Sequence, residues 1–377
     1  MPAQSQNKNK IIVLSALHIA DDTPTVWYQS SIHNPYLEGI CNWIVANAAS
    51  IRELVLLGDV VDFWTHPAEI QPPSFAKILE VQPEIFGPRG FFGRVLDALE
   101  GAVTYVPGNH DMGVTAAEVA TIVSAGGHAM RFADGVHYPL GGDDRRIALA
   151  HGNAYTMFNA PDGRSPWASL PVGHFVTRMI ASKWARELQP GHTVAGLPGQ
   201  GSPNGIDVSA VVTAAIKSGS LAISWALLDS VAAQTSTPSN QSFVLPGGQV
   251  ARLDRDVRPA YADLFSNWIA ASGGGVVGTS IATKSALADA KAYFMGWFAQ
   301  RQAFESGAQV IVLGHTHTPI ADVTTTLIHY ANSGFECPST PDMPPQAVNF
   351  VVVDTDSFTT QVMQAKQDGA VGPFTAQ

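Results

Sequence analysis

Five times along this chain a short, strongly apolar run ends in a loop carrying side chains able to bind a metal. The runs are residues 11–15, 54–57, 103–106, 147–150 and 310–313. The loops after them read Ala16-Leu17-His18, Gly58-Asp59-Val60-Val61-Asp62, Gly108-Asn109-His110-Asp111, His151-Gly152-Asn153 and Gly314-His315-Thr316-His317. Runs this short and apolar suit strands buried on both faces. Stretches of helical character lie between them, at 36–49, 91–99 and 116–125, so strand and helix alternate as in a layered α/β domain. Ligands of an α/β sheet bind beyond the carboxyl ends of its strands, and there the five loops would converge.

The character changes between residues 154 and 306, where helical stretches at 172–187, 208–233 and 281–305 are joined by loops rich in Gly, Pro, Ser and Gln. This reads as an inserted, mainly helical cap, with 1–153 and 307–377 forming the catalytic domain around it. Segments 196–205 and 234–248 hold several turn formers each and are candidates for mobile loops over a site. Two further strands are expected near the C-terminus, at 347–353 and 358–363, to complete a second sheet. Aliphatic and aromatic residues of the cap, including Phe175, Met179, Ile180 and Trp184, recur at helical spacing and are expected to form core.

Composition narrows the function classes. Hydrophobic residues make up 46% of 377, ample for a core, while charged residues are only 14% and the net charge is -10. No run of Lys or Arg could follow a phosphate backbone, so nucleic acid is not an expected partner. The cysteines, Cys41 and Cys337, are too few for a disulfide framework and too far apart for a paired-cysteine zinc motif, which favours a reducing compartment. No secretory apolar region follows the polar first ten residues, and no apolar run reaches the length of a membrane span. A cytoplasmic protein with a small-molecule substrate is expected.

The donors in the five loops are imidazole nitrogens and carboxylate or amide oxygens without thiolate, which favours manganese, iron or zinc. Two such ions about 3.5–4 Å apart can bind a phosphoryl group, activate water and stabilise a leaving oxygen. Taken singly, a Gly-Asp turn or a lone histidine is as readily structural as functional. Their order and repetition at strand ends make the metal site the stronger reading.

The order of these motifs, with Gly108-Asn109-His110-Asp111 and Gly314-His315-Thr316-His317, resembles the calcineurin-like metallophosphoesterase superfamily over nearly the whole chain except the cap. The resemblance implies an α/β fold of two packed mixed β-sheets flanked by helices, and metal-dependent phosphoester hydrolysis at a binuclear site. Asp59 would bridge both ions, with His18 and His317 on one and Asn109, His151 and His315 on the other. His110 would contact the phosphate as acid or charge stabiliser, and Asp111 would orient it. Ala16 stands where that family has aspartate, so the first ion would keep only His18, Asp59 and His317, and hydrolysis would be impaired. The competing reading is a metal-binding or interaction module that kept the fold and lost catalysis.

Other residues carry weaker signals. Asp62 is either a partner for a ligating histidine or a loop acceptor. Trp64 makes the second loop Gly-Asp-x-x-Asp-x-Trp, similar to UDP-2,3-diacylglucosamine hydrolases, which points to a diester or diphosphate linkage and a substrate with an apolar part; core packing is the plain alternative. His174 and Arg178, four apart on one helix, either face an anionic substrate or are solvated or internally paired, and the second reading is preferred. Asn332 and Gly334 either line the site or form a turn.

Overall fold

The computed structural model describes residues 8–194, 208–218, 220–288, 293–324, 328–334 and 348–374. The first half supplies strands β1 (Lys10–Leu14), β2 (Ile51–Leu57), β3 (Val103–Val106), β4 (Arg131–Phe132) and β5 (Ile147–Leu149). A hairpin of β6 (Ser242–Val244) and β7 (Val250–Arg252) lies within the helical segment. The chain ends with β8 (Val310–Leu313), β9 (Ile320–Thr324), β10 (His329–Asn332), β11 (Val348–Asp354), β12 (Thr359–Ala365) and β13 (Val371–Pro373).

Two mixed sheets result. One runs β13-β12-β11-β1-β2-β3-β4, with β1 to β4 parallel and the last three antiparallel; the other runs β5-β8-β10-β9, with only β9 antiparallel. The C-terminal strands therefore extend the first sheet instead of completing the second. Ile11 pairs with Val353, so β11 covers the edge that β1 would otherwise expose.

Alternation along the strands explains the two layers. Ile11 and Val13 of β1, with Val55 and Leu57 of β2, face Ile147, Leu149, Val310 and Val312 across the space between the sheets. The residues between them, Ile12, Leu14, Leu54 and Leu56, face outward under helices Ser30–Ala46 and Phe91–Ala98. Helix Tyr293–Ser306 covers the outer face of the second sheet, laying Met295, Phe298 and Ala299 on Ile311, Leu313 and Tyr330. The molecule is thus an α/β sandwich of two mixed sheets flanked by helices.

Residues 154–306 are mainly helical. Helix Val172–Glu187 has the bounds read from the sequence, and Phe175, Met179, Ile180 and Trp184 are buried in it. Stretch 208–233 is two helices, Val208–Lys217 and Ile223–Gln234. The Ser220 hydroxyl accepts the Ala222 N–H between them, a local bond that competes with a continuous helix. Within and before stretch 281–305 the described residues form helices Gly275–Leu287 and Tyr293–Ser306. Stretch 116–125 makes a single helical turn, Ala116–Val119, opened by a Thr115–Glu118 capping box. Beyond it the Ser124 N–H bonds His128 O and turns the chain back.

Segment 234–248 is held in place: the Val244 N–H bonds Ala68 O, and Val244 O accepts the Arg178 guanidinium. Segment 196–205 lies outside the described residues. No helix among the described residues is long and apolar enough to cross a membrane.

Candidate metal centre

The five loops meet where the carboxyl ends of both sheets come together. The first three follow β1, β2 and β3 of one sheet, and the last two follow β5 and β8 of the other. Backbone bonds knit them: Ala16 N–H to Gly58 O at 2.9 Å, His18 N–H to Asp59 O at 2.8 Å, and Gly314 N–H to His151 O at 2.9 Å. Two glycines are forced by close approach. A Cβ on Gly58 would lie 2.4 Å from the His151 ring, and one on Gly108 2.3 Å from Asp59 Oδ1.

Left-handed backbone concentrates here. Ala16 (φ 56°), His18 (55°), Asp59 (51°), His315 (70°) and His317 (55°) all adopt it without being glycine. Each costs on the order of 1 kcal/mol or more and persists because surrounding contacts hold it. Asp, Asn and His tolerate this region better than alanine does, so the backbone at Ala16 suits the aspartate that the first motif leads one to expect.

Asp59 is central and 1% exposed. Its Oδ1 accepts the His110 N–H at 2.7 Å, while Oδ2 lies 3.0 Å from His151 Nε2 and 3.9 Å from His18 Nε2. Its carboxylate therefore belongs to two groups at once, His18–Asp59–His110 and Asp59–His151–His315, whose ligand atoms lie within 4.8 Å of one another in each group. His317 joins the first side, with its Nε2 3.0 Å from His18 Nε2. Asn109, in the loop after β3, is buried and its Oδ1 has no hydrogen-bond partner among the described residues. A buried amide oxygen without a donor fits a cation. The residues present thus suit two metal ions sharing Asp59, with nitrogen and oxygen donors throughout.

Neighbouring groups fix which atom of each ligand faces inward. Asp62 Oδ2 accepts His18 Nδ1–H at 2.8 Å and His110 Nδ1–H at 2.9 Å, leaving both Nε2 atoms for the centre. Asp62 Oδ1 accepts the Trp64 and Thr65 N–H groups, so it holds the loop and both imidazoles together. His151 Nδ1–H donates to Leu57 O at 2.8 Å, with Ser15 Oγ 3.4 Å away. Thr156 Oγ1–H donates to Asn153 O, so the same oxygen accepts His315 Nε2–H at 3.1 Å and turns Nδ1 to the ligand role.

Charge follows the same geometry. Burial would raise the Asp59 carboxyl, but His151, His110 and His18 hold it well below its ordinary value. Burial would depress His110, yet Asp62 and Asp59 keep it above the usual histidine range. His151 is raised likewise, by Asp59 against burial. His18 goes down, because burial and the His110 charge outweigh Asp62. Burial and then Asp59 push Asp111 up to about 6.

The expected role of Asp111 changes, while Arg178 keeps the reading preferred for it. Asp111 does not orient His110: its oxygens accept the Asp59, Val60 and Gly108 N–H groups and the Tyr105 hydroxyl, so it shapes the Asp59 and Asn109 loops, and Asp62 orients His110. Arg178 is fully buried and gives its donors to the carbonyls of His66, Pro67, Ala68, Ile70 and Val244, leaving it internally paired. His174 is also buried, and burial followed by the Arg178 charge holds it well below the histidine range. Trp64, 1% exposed, stacks on His110 at 4.3 Å and acts as packing for that ring. Asn332 donates to Gly314 O and accepts the Gly334 N–H, bracing the fifth loop. Trp27, Thr156 and Ser15 belong to no motif, and only their placement by tertiary contacts brings them to the centre.

No protein-family model matches the chain, and no curated protein matches it. Among solved structures a dimetal phosphatase from Danio rerio is similar at 10% sequence identity, covering 98% of this chain and 100% of that chain with a TM-score of 0.30. So loose an overlap adds no weight to the geometry above.

Proposed function

We propose that this chain is a metallophosphoesterase that hydrolyses a small-molecule phosphoester at a two-metal site, with a diester or diphosphate linkage as first choice and residues 154–306 as its cap. The observation that carries the proposal is the single buried carboxylate of Asp59 shared by two histidine groups. Manganese, iron or zinc bound there would polarise phosphoryl oxygens and lower the pKa of water.

The chain's own residues supply the rest. On one side His18, Asp59 and His317 would hold an ion, and on the other Asp59, Asn109, His151 and His315. Asp62 fixes the His110 Nδ1 proton, and the neighbouring carboxylates favour the charged ring, so His110 Nε2–H can donate to the leaving oxygen or balance charge on the phosphoryl group. Trp64 and Trp27 flank that ring and limit the water around it.

Ala16 supports a second reading. The residue is buried, its backbone N–H bonds Gly58 O, and its methyl offers no ligand, as in a binding module that lost catalysis. Assays of phosphomonoesters and phosphodiesters with manganese, on this chain and on Ala16→Asp, separate the two. The enzyme reading expects Ala16→Asp to hydrolyse at least one class well above the parent chain. Activity in neither chain, with both metals bound, would leave the binding module.

A further inference from the structure

Trp27 lies in the link between β1 and helix Ser30–Ala46, outside every metal motif. Its side chain is turned inward over the centre: ring centroids lie 4.7 Å from His18, 5.2 Å from His110 and 5.9 Å from His317. The residue is 6% exposed, and its Nε1 is buried without a hydrogen-bond partner among the described residues. The link is not slack. The Thr25 hydroxyl donates to Thr65 O at 2.7 Å, Val26 N–H bonds Thr23 O, and Gln29 Nε2 donates to Val26 O.

An indole N–H is a donor only, so it cannot ligate a cation. Sealed from bulk water, it needs an acceptor that the centre itself holds, or it bears the penalty of an unmade bond. The carboxylates of the centre that sit behind these rings are already engaged. Both oxygens of Asp62 take two donors each, and Asp59 Oδ1 takes the His110 N–H. We propose that the Trp27 indole N–H donates to a phosphoryl oxygen of the bound substrate, making Trp27 a substrate-binding residue. The inference rests on the phosphoester reading. A neutral donor suits this place, because it can meet an anionic oxygen without repelling two adjacent cations.

The test uses the full chain and Ala16→Asp, each loaded with zinc, which is magnetically silent, and titrated with inorganic phosphate. The chain has eight tryptophans, so indole 15N labelling gives a countable set of signals, and Trp27→Phe identifies the Trp27 signal by its loss. Phosphate should move that indole proton downfield, and Trp27→Phe should weaken phosphate binding roughly tenfold with metal content unchanged. Phosphate binding that leaves the Trp27 signal in place and is equally tight in Trp27→Phe would overturn this assignment and leave the phosphoester reading standing. Failure of both zinc-loaded chains to bind phosphate would overturn the assignment and the phosphoester reading together.

Discussion

The two sides of the metal centre share Asp59 and differ in almost everything else. In the proposed centre the side of His151 and His315 would also draw on Asn109, whose amide oxygen has no competing partner among the described residues, and its imidazoles are set by a backbone carbonyl and a threonine hydroxyl. The side of His18 and His317 has a methyl group at Ala16, yet its imidazole is set by a carboxylate that also holds His110 and the loop after β2. The incomplete side therefore has the stronger scaffold. What orders these loops is a layer of hydrogen bonds behind the proposed ligands, so a missing ligand would cost affinity for an ion while the architecture stays.

Asp59→Ala should have the largest effect, because it strips both sides together. Metal content measured by elemental analysis should fall to background, and retention of one tightly held ion would break the symmetry assigned to Asp59. Asp62→Ala should come next and act on one side only. It leaves two imidazole N–H groups and two backbone N–H groups without an acceptor, at a cost of about 3–5 kcal/mol in denaturant unfolding. A second-side ion should survive that change.

Thr156→Val probes the opposite side. Without its hydroxyl the His315 ring loses the bond that fixes its tautomer, and affinity for the second-side ion should fall about tenfold by calorimetric titration, with folding stability lowered by only about 1–2 kcal/mol. Asp21→Asn should matter least. His66 holds the Asp21 carboxyl down at about 2 against burial, so the pair contributes stability above the unfolded value near 4 that is lost as pH falls toward 2. For a group this exposed the contribution is about 1 kcal/mol. Unfolding curves at neutral pH should differ between parent and Asp21→Asn, and converge near pH 2.

How much of this was legible in sequence follows from which interactions are local. The strands and their loops were readable because residue type and spacing carry the chemistry, and helix Val172–Glu187 because Phe175, Met179 and Trp184 repeat at helical period behind a proline N-cap. Partner choice was not. Asp111 adjoins His110 in sequence and Asp62 lies in another loop, and only the parallel pairing of β2 with β3 brings Asp62 to His110 while Asp111 turns to backbone amides. Internal pairing is the preferred reading of Arg178, but its spacing to His174 does not name the carbonyl partners, which lie more than sixty residues away. The C-terminal strands have the apolar pattern of any buried strand, and that pattern does not say which sheet they join.

The central claim is that Asp59 serves two ions and that only the His18 side is weakened by Ala16. Zinc titration by calorimetry on this chain and on Ala16→Asp, with the ions located by anomalous diffraction, tests it most directly. The account predicts tight binding on the His151 side in both proteins, and a second tight ion beside His18 and His317 only in Ala16→Asp. Equal zinc binding by the two proteins, or a sole ion on the His18 side, would contradict it.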